Sequence, residues 1–135
     1  MGYKFKKEIE NNSHLLKEVS KELINELKKL DIEEEIVFDV HVAFEEALRN
    51  AMIHGNKNSA DKKVYVESEI NGDEVTIIVE DEGSGFDHKE LPDPTVTENL
   101  LKESGRGVYL IKHLMDEVVY EKNGCRVIMK KRLRR

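Results

Sequence analysis

Cysteine is nearly absent from this sequence. Cys125 stands alone, so no internal disulfide can form, and its place in the strand-like run VVYEKNGCRVIMK marks it as a small packing residue rather than a reactive thiol. Such usage points to a reducing cytoplasm. Long apolar runs are absent as well. None approaches the roughly 20 residues that span a bilayer, which excludes a transmembrane helix. The opening MGYKFKKEIENN has no apolar h-region, so no secretory signal is expected. Gly2 follows Met1, but Lys6 stands where a myristoylation motif needs Ser or Thr. Positive charge is in deficit: the formal net charge of −6 argues against direct nucleic-acid binding. The basic end KKRLRR reads as a solvated terminus.

What is present describes one soluble, highly charged domain. The 135 residues suffice to bury a real core, with 39% hydrophobic and 37% charged residues. Residues 3–10, YKFKKEIE, alternate loosely, with Tyr3, Phe5 and, after a slip, Ile9 apolar; the lysines place this strand at a sheet edge. Asn11, Asn12 and Ser13 are cap-type residues. The apolar positions Leu15, Leu16, Val19, Leu23, Ile24, Leu27 and Leu30 then follow helical spacing over 14–30. Asp31 is suited to cap a second helix from Ile32 to His54, with Glu33, Glu34 and Glu35 in its first turn and Gly55 at its end. Strands at 63–70 and 74–80 flank Asn71-Gly72, a strong hairpin signal, and the Ile77-Ile78-Val79 run suggests burial on both faces. Residues 81–104 carry Gly83, Gly85, Pro92 and Pro94 and few apolar residues. They form a long loop of functional type, with room for a short helix at 97–102. A helix over 107–115 and strands at 117–121 and 126–131, joined at Asn123-Gly124, complete the chain. The expected fold is α+β: a two-layer sandwich in which one mixed, mostly antiparallel sheet carries its helices on one face.

Three stretches stand out chemically. In FEEALRNAMIHGN, at 44–56, Glu46 and Asn50 lie one helical turn apart. At about 100° per residue, Ile36, Val40, Ala43, Phe44, Ala47 and Ala51 form the core stripe, and Asn50 and Glu46 share its flank. Glu45 and Arg49 fall on the far side, so Glu45 reads as a solvated residue paired with Arg49. A carboxylate at such a border suits a general base, and an amide oxygen suits Mg²⁺. The ordinary alternative is a helix flank of plain polar residues. DEGSGFD, at 81–87, follows a buried strand. Its glycines allow close backbone approach, and Asp81 offers acceptors to an exocyclic amine such as that of adenine; the alternative is a Gly-rich turn. Ser104-Gly105-Arg106-Gly107 opens a helix and so presents free N–H groups, with the Arg106 charge, to phosphates; the alternative is a flexible entry. No G-x-x-x-x-G-K-[ST] run exists, so the site is not a P-loop.

In order and spacing these stretches resemble the GHKL ATPase domains, the Bergerat fold of DNA gyrase B, MutL, heat-shock chaperones and histidine kinases. EALRNAMIHG is similar to the N box, Asp81 to Asp87 to the first glycine box, and Gly105 to Leu110 to the second. EEALRNAMIHGN, VEDEGSGFD and GRGVYLIKHLMDEV are most similar to the anti-sigma-factor serine/threonine kinases, and the resemblance covers essentially the whole chain. It implies ATP and Mg²⁺. Glu46 is the implied general base for a protein hydroxyl, and Asn50 the metal ligand. Asp81 would read the adenine amine, with Gly83 and Gly85 beside the base. Gly105, Arg106 and Gly107, with Val108, would cover the phosphates, under an ATP lid at 87–104. Val108 and Tyr109 stand where bulky apolar residues such as Leu or Met and Phe are usual.

The resemblance further implies a homodimer that sequesters a sigma factor and phosphorylates a serine on a STAS-domain anti-anti-sigma partner. Two alternatives remain. A detached histidine-kinase catalytic domain is weakened because no dimerisation hairpin with a phospho-accepting His is present, His14 lying too near its helix start. A non-catalytic nucleotide-gated binding module would keep Asn50 and the glycines without needing Glu46.

Overall fold

The computed structural model describes residues 2–83 and 103–134. Five strands form one sheet: β1 (Tyr3–Glu10), β2 (Lys63–Asn71), β3 (Glu74–Asp81), β4 (Glu117–Glu121) and β5 (Arg126–Arg132), in the order β1-β2-β3-β5-β4. Every described pairing is antiparallel. Helices α1 (Ser13–Lys28), α2 (Glu34–Arg49) and α3 (Glu103–Leu114) contribute the rest of the core. The α+β, two-layer expectation holds. The expected short helix at 97–102 and most of the lid fall outside the described residues.

Local signals account for most element boundaries. The Asn12 carboxamide accepts the N–H groups of His14 and Leu15 at 2.8 and 3.2 Å, capping α1. The α1 stripe of Leu16, Val19, Leu23, Ile24 and Leu27 packs into the core with Ile36, Val40, Ala43, Phe44 and Ala47 of α2. Strand β1 is an edge strand, as its lysines suggest, but it has no slip. It pairs in continuous register from Tyr3↔Ile70 to Glu10↔Lys63. Lys7 occupies the inward position between Phe5 and Ile9, with its ammonium 2.7 Å from Glu22, so the apparent break in alternation is an inward-facing charge at an edge.

Four expectations are corrected. The second helix begins at Glu34, after Glu33 rather than Asp31. Its regular part stops at Arg49, and Asn50–Gly55 continue as a wider π-helical segment. Ile78 is not enclosed on both faces: β3 alternates buried and half-buried positions, with Val75, Ile77, Val79 and Asp81 buried. The basic end is not a free tail. Leu133 is buried, Lys131 donates to the Leu114 carbonyl at 2.7 Å, and Arg134 pairs with Asp73 at 2.9 Å.

Candidate nucleotide site

The site forms where the π-helical segment, the end of β3 and the face of α3 meet. Asp81 is the last residue of β3, and its N–H still donates to the Cys125 carbonyl at 2.8 Å. Its inward position on an alternating strand buries the residue to 8% exposure. Burial pushes its pKa up to about 6; the Gly83 N–H, donating to Oδ1 at 2.7 Å, works against that rise, and the charge of Glu80 adds to it. Two glycines make room for this carboxylate. A Cβ on Gly55 would stand 2.2 Å from Asp81 Oδ2, and one on Gly83 would stand 1.9 Å from the Gly55 carbonyl oxygen. Here glycine serves close approach rather than a special backbone angle.

Asn56 fastens the same corner. Fully buried, it donates to the Lys63 carbonyl at 2.9 Å and to Asn11 Oδ1 at 3.1 Å, and accepts the Glu82 N–H at 2.8 Å. One amide thereby joins the end of β1, the start of β2 and the turn after β3. Sequence reasoning gave Gly55 only the role of a helix stop and gave Asn56 no role. Their position at the close of an N-box-like stretch was the signal available.

A cavity opens beside Asp81, walled by Ala47, Asn50, Ala51, Ile111, Tyr120 and Cys125. Its walls are mostly apolar and Asp81 supplies the acceptor that an exocyclic amine needs, but at about 20 Å³ the cavity has room for about one water, so a base would enter only with its walls moved apart. Cys125, read from the sequence as a packing residue, is a wall of this cavity; its Sγ donates to the Lys122 carbonyl at 3.0 Å. Burial raises the thiol pKa, and the nearby charges of Asp81 and Glu80 reinforce the rise, which fits an unreactive role. A larger hollow of about 390 Å³ lies on the opposite sheet face among Lys6, Tyr65, Glu67, Ile78, Glu80 and Arg126, and none of the candidate site residues lines it.

Asn50 faces both this cavity and α3. A Cβ on Gly107 would stand 2.9 Å from Asn50 Nδ2, 3.0 Å from Asn50 Oδ1 and 3.1 Å from Glu46 Oε2. The structure thus brings Glu46, Asn50 and Gly107 together, with Asp81 across the cavity. Helix α3 begins at Glu103, so Gly107 lies beyond the four N–H groups that a helix N-terminus leaves free. Its lack of a side chain lets α3 approach the polar pair. Gly105 and Arg106 fall in the first turn of α3, Val108 is buried, and Gly85 lies outside the described residues.

The assignment of the adjacent glutamates changes. Glu45 is not solvated: its side chain is 15% exposed and bonds Lys17 at 2.8 Å and His41 at 2.9 Å. These contacts hold its pKa low against the opposing effect of burial. Arg49 pairs with Glu46 instead. A helical wheel drawn for α2 alone does not include Lys17, which arrives from α1.

The oxygens of Asn50 and Glu46 suit a hard cation. Among the described residues, no group of three or more His, Cys, Asp or Glu side chains could cage one. A Mg²⁺ at this place would therefore rest on Asn50 and take its remaining ligands from phosphates and water, as Mg²⁺ usually does beside nucleotides.

Comparison with known proteins agrees with the geometry. Residues 9–131 match the histidine kinase-like ATPase domain family. The anti-sigma F factor of Clostridium novyi is 40% identical over 113 residues, covering 80% of this chain and 79% of that protein. The anti-sigma F factor of Clostridium beijerinckii is 41% identical over 99 residues, covering 70% and 69%. That of Clostridium perfringens strain SM101 is 38% identical over 112 residues, covering 79% and 80%. With an N-box-like helix, a buried strand-end aspartate and helix α3 meeting around one cavity, this chain belongs to the histidine kinase-like (GHKL) ATPase family.

Proposed function

We propose that the protein is an ATP-dependent serine/threonine protein kinase of the anti-sigma-factor type, acting in the cytoplasm as a homodimer. Its targets in this reading are a sigma factor, which it sequesters, and a STAS-domain anti-anti-sigma protein, which it phosphorylates. The observation that carries the proposal is the position of Asn50, which lines the Asp81 cavity and also meets Gly107 beside Glu46 Oε2. A nucleotide whose adenine amine donates to Asp81 would extend its phosphates past Asn50 toward Glu46. Gly83 and Gly85 lie beside the base in this reading, and Gly105, Arg106, Gly107 and Val108 on the phosphate side.

The chemistry needs few groups. A serine hydroxyl attacks the γ-phosphorus, the bond from that phosphorus to the β–γ bridging oxygen breaks, ADP departs, and the hydroxyl proton passes to Glu46. When bound, Mg²⁺ supplies neutralisation of phosphate charge, with Asn50 as its protein ligand. Asp81 fixes the base, and the packed corner of Gly55, Gly83 and Asn56 fixes Asp81. The anti-sigma F factors among its relatives support a sigma factor as a target. In the proposed logic, the unphosphorylated STAS protein competes with that sigma factor, and phosphorylation ends the competition.

The test is labelled ATP with Mg²⁺ and a STAS-domain protein encoded beside this chain. Acid-stable phosphoserine is expected; acid-labile phosphate would instead favour histidine-kinase chemistry. Glu46→Ala should lower transfer by about 10²–10⁴-fold and keep nucleotide binding, while Asn50→Ala should weaken both. Transfer by Glu46→Ala at the normal rate would remove Glu46 as the base.

A further inference from the structure

The two oxygens of Glu46 have different surroundings. Oε1 accepts from the Arg49 guanidinium, one turn along α2. Oε2 faces α3, 3.1 Å from the place a Cβ would take on Gly107 and next to Asn50. Among the described residues, Arg49 provides the one ion pair Glu46 makes. Glu45 has Lys17 and His41, so Arg49 is not needed there. Arg49 is also the last residue of the regular helix, just before the backbone widens at Asn50.

An ordinary exposed i, i+3 ion pair contributes little, about 0–1 kcal/mol. This pair differs in two respects. Its side chains are only 35% and 22% exposed. It also consumes one particular oxygen of a carboxylate whose other oxygen faces the candidate site. A free carboxylate turns about its terminal bond, and beside a triphosphate it is repelled by like charge. A guanidinium on Oε1 opposes both effects: it restrains the rotation and offsets the repulsion, leaving a lone pair of Oε2 directed at an incoming hydroxyl. We infer that Arg49 is the positioning residue for Glu46, holding Oε1 so that Oε2 acts as the base in phosphoryl transfer. The inference rests on the reading of Glu46 as the general base.

The test measures steady-state release of labelled phosphate from ATP with Mg²⁺, water serving as acceptor, in the full chain. Nucleotide affinity is measured separately with a fluorescent ATP analogue. Arg49→Ala should lower kcat by about 10–100-fold, as expected for a displaced catalytic group, with KM for ATP and analogue affinity unchanged. Arg49→Lys should recover part of the loss, because an ammonium can also hold one carboxylate oxygen. The double variant Glu46→Ala/Arg49→Ala should be no slower than Glu46→Ala alone, since Arg49 acts only through Glu46. Unchanged kcat in Arg49→Ala, with Glu46→Ala inactive, would overturn the positioning role and leave the base reading standing. A parallel rise in KM would overturn it too, by placing Arg49 on the nucleotide. Normal turnover by Glu46→Ala would remove the base reading and this inference with it.

Discussion

The two ends of the candidate site are built by opposite means. At the Asp81 end the carboxylate is buried, its backbone neighbours are glycines, and Asn56 locks the surrounding turns. Desolvation sets its properties. At the Glu46 end the carboxylate is part-exposed, sits on a helix flank, and takes its orientation from a charged neighbour. A group that only recognises a base gains from a dry, fixed setting, where hydrogen bonds discriminate most strongly. A group that must accept a proton beside phosphates needs access and a definite direction. One helix and one strand supply both environments within a single fold.

The largest expected effect comes from breaking the dry end. Gly55→Ala would drive a methyl into the Asp81 carboxylate, 2.2 Å from Oδ2, in a buried side chain whose Oδ1 is held by the Gly83 N–H. We expect a loss of about 1–3 kcal/mol in urea unfolding, as for other overpacked sites, together with loss of ATP-analogue binding. Stability unchanged from the parent would contradict the packed geometry described above.

Proton linkage sharpens the same end. With a pKa of about 6 in the folded protein against an ordinary 3.8, Asp81 favours folding while protonated, and that contribution is lost as pH rises through 6. Binding has the opposite sign, since an amine donor needs the ionised carboxylate. Between pH 7 and pH 5 the ionised fraction falls about tenfold, so the Kd for ATP should rise by about that factor from this group. Asp81→Asn gives the background slope: its affinity should be weak and flatter with pH, while its Tm at pH 7 should rise by a few degrees. Identical pH slopes in the two proteins would mean that Asp81 does not meet the base.

Gly107→Ala is the counterpart at the wet end. The neighbours of the added methyl are the far ends of Asn50 and Glu46, at 2.9–3.1 Å, which can shift. Alanine also favours a helix interior over glycine by about 1 kcal/mol. Unfolding stability should therefore change by no more than about 1 kcal/mol, while phosphate transfer falls. A variant as fragile as Gly55→Ala would erase the contrast between the two ends.

The smallest effect is expected at Glu45→Ala. It loses the Lys17 pair that ties α1 to α2 and a one-turn contact to His41 within α2, about 1 kcal/mol or less, and leaves transfer unchanged. Loss of transfer here with little loss of stability would exchange the roles of the two glutamates.

Much of the scaffold was legible from local chemistry. Asn12 capped a helix whose apolar residues recur every three or four positions, and two Asn-Gly pairs marked the hairpins; these depend on neighbours in the chain. The motif residues Glu46, Asn50 and Asp81 were legible for the same reason, as carboxylates and an amide at definite helix and strand positions. The partners of Glu45 and Glu46 were not, because Lys17 reaches Glu45 from another helix and leaves Arg49 to Glu46. Nor were Cys125 and Tyr120 as cavity walls, since β3 and β5 must pair before Cys125 lies beside Asp81.

By itself, then, the sequence determined the elements, the edge position of β1, and the kinds of chemical group the site contains, because each follows from short-range periodicity, capping or turn geometry. Tertiary structure alone decided how those groups differ. The burial that lifts Asp81, the close approach of Gly55 to Asp81 and of Gly107 to Asn50 and Glu46, the three-way bonding of Asn56, and the Lys17 pairing of Glu45 that leaves Arg49 to Glu46 arise only when segments far apart in the chain pack together, since desolvation and steric fit are properties of the surroundings and not of the residue.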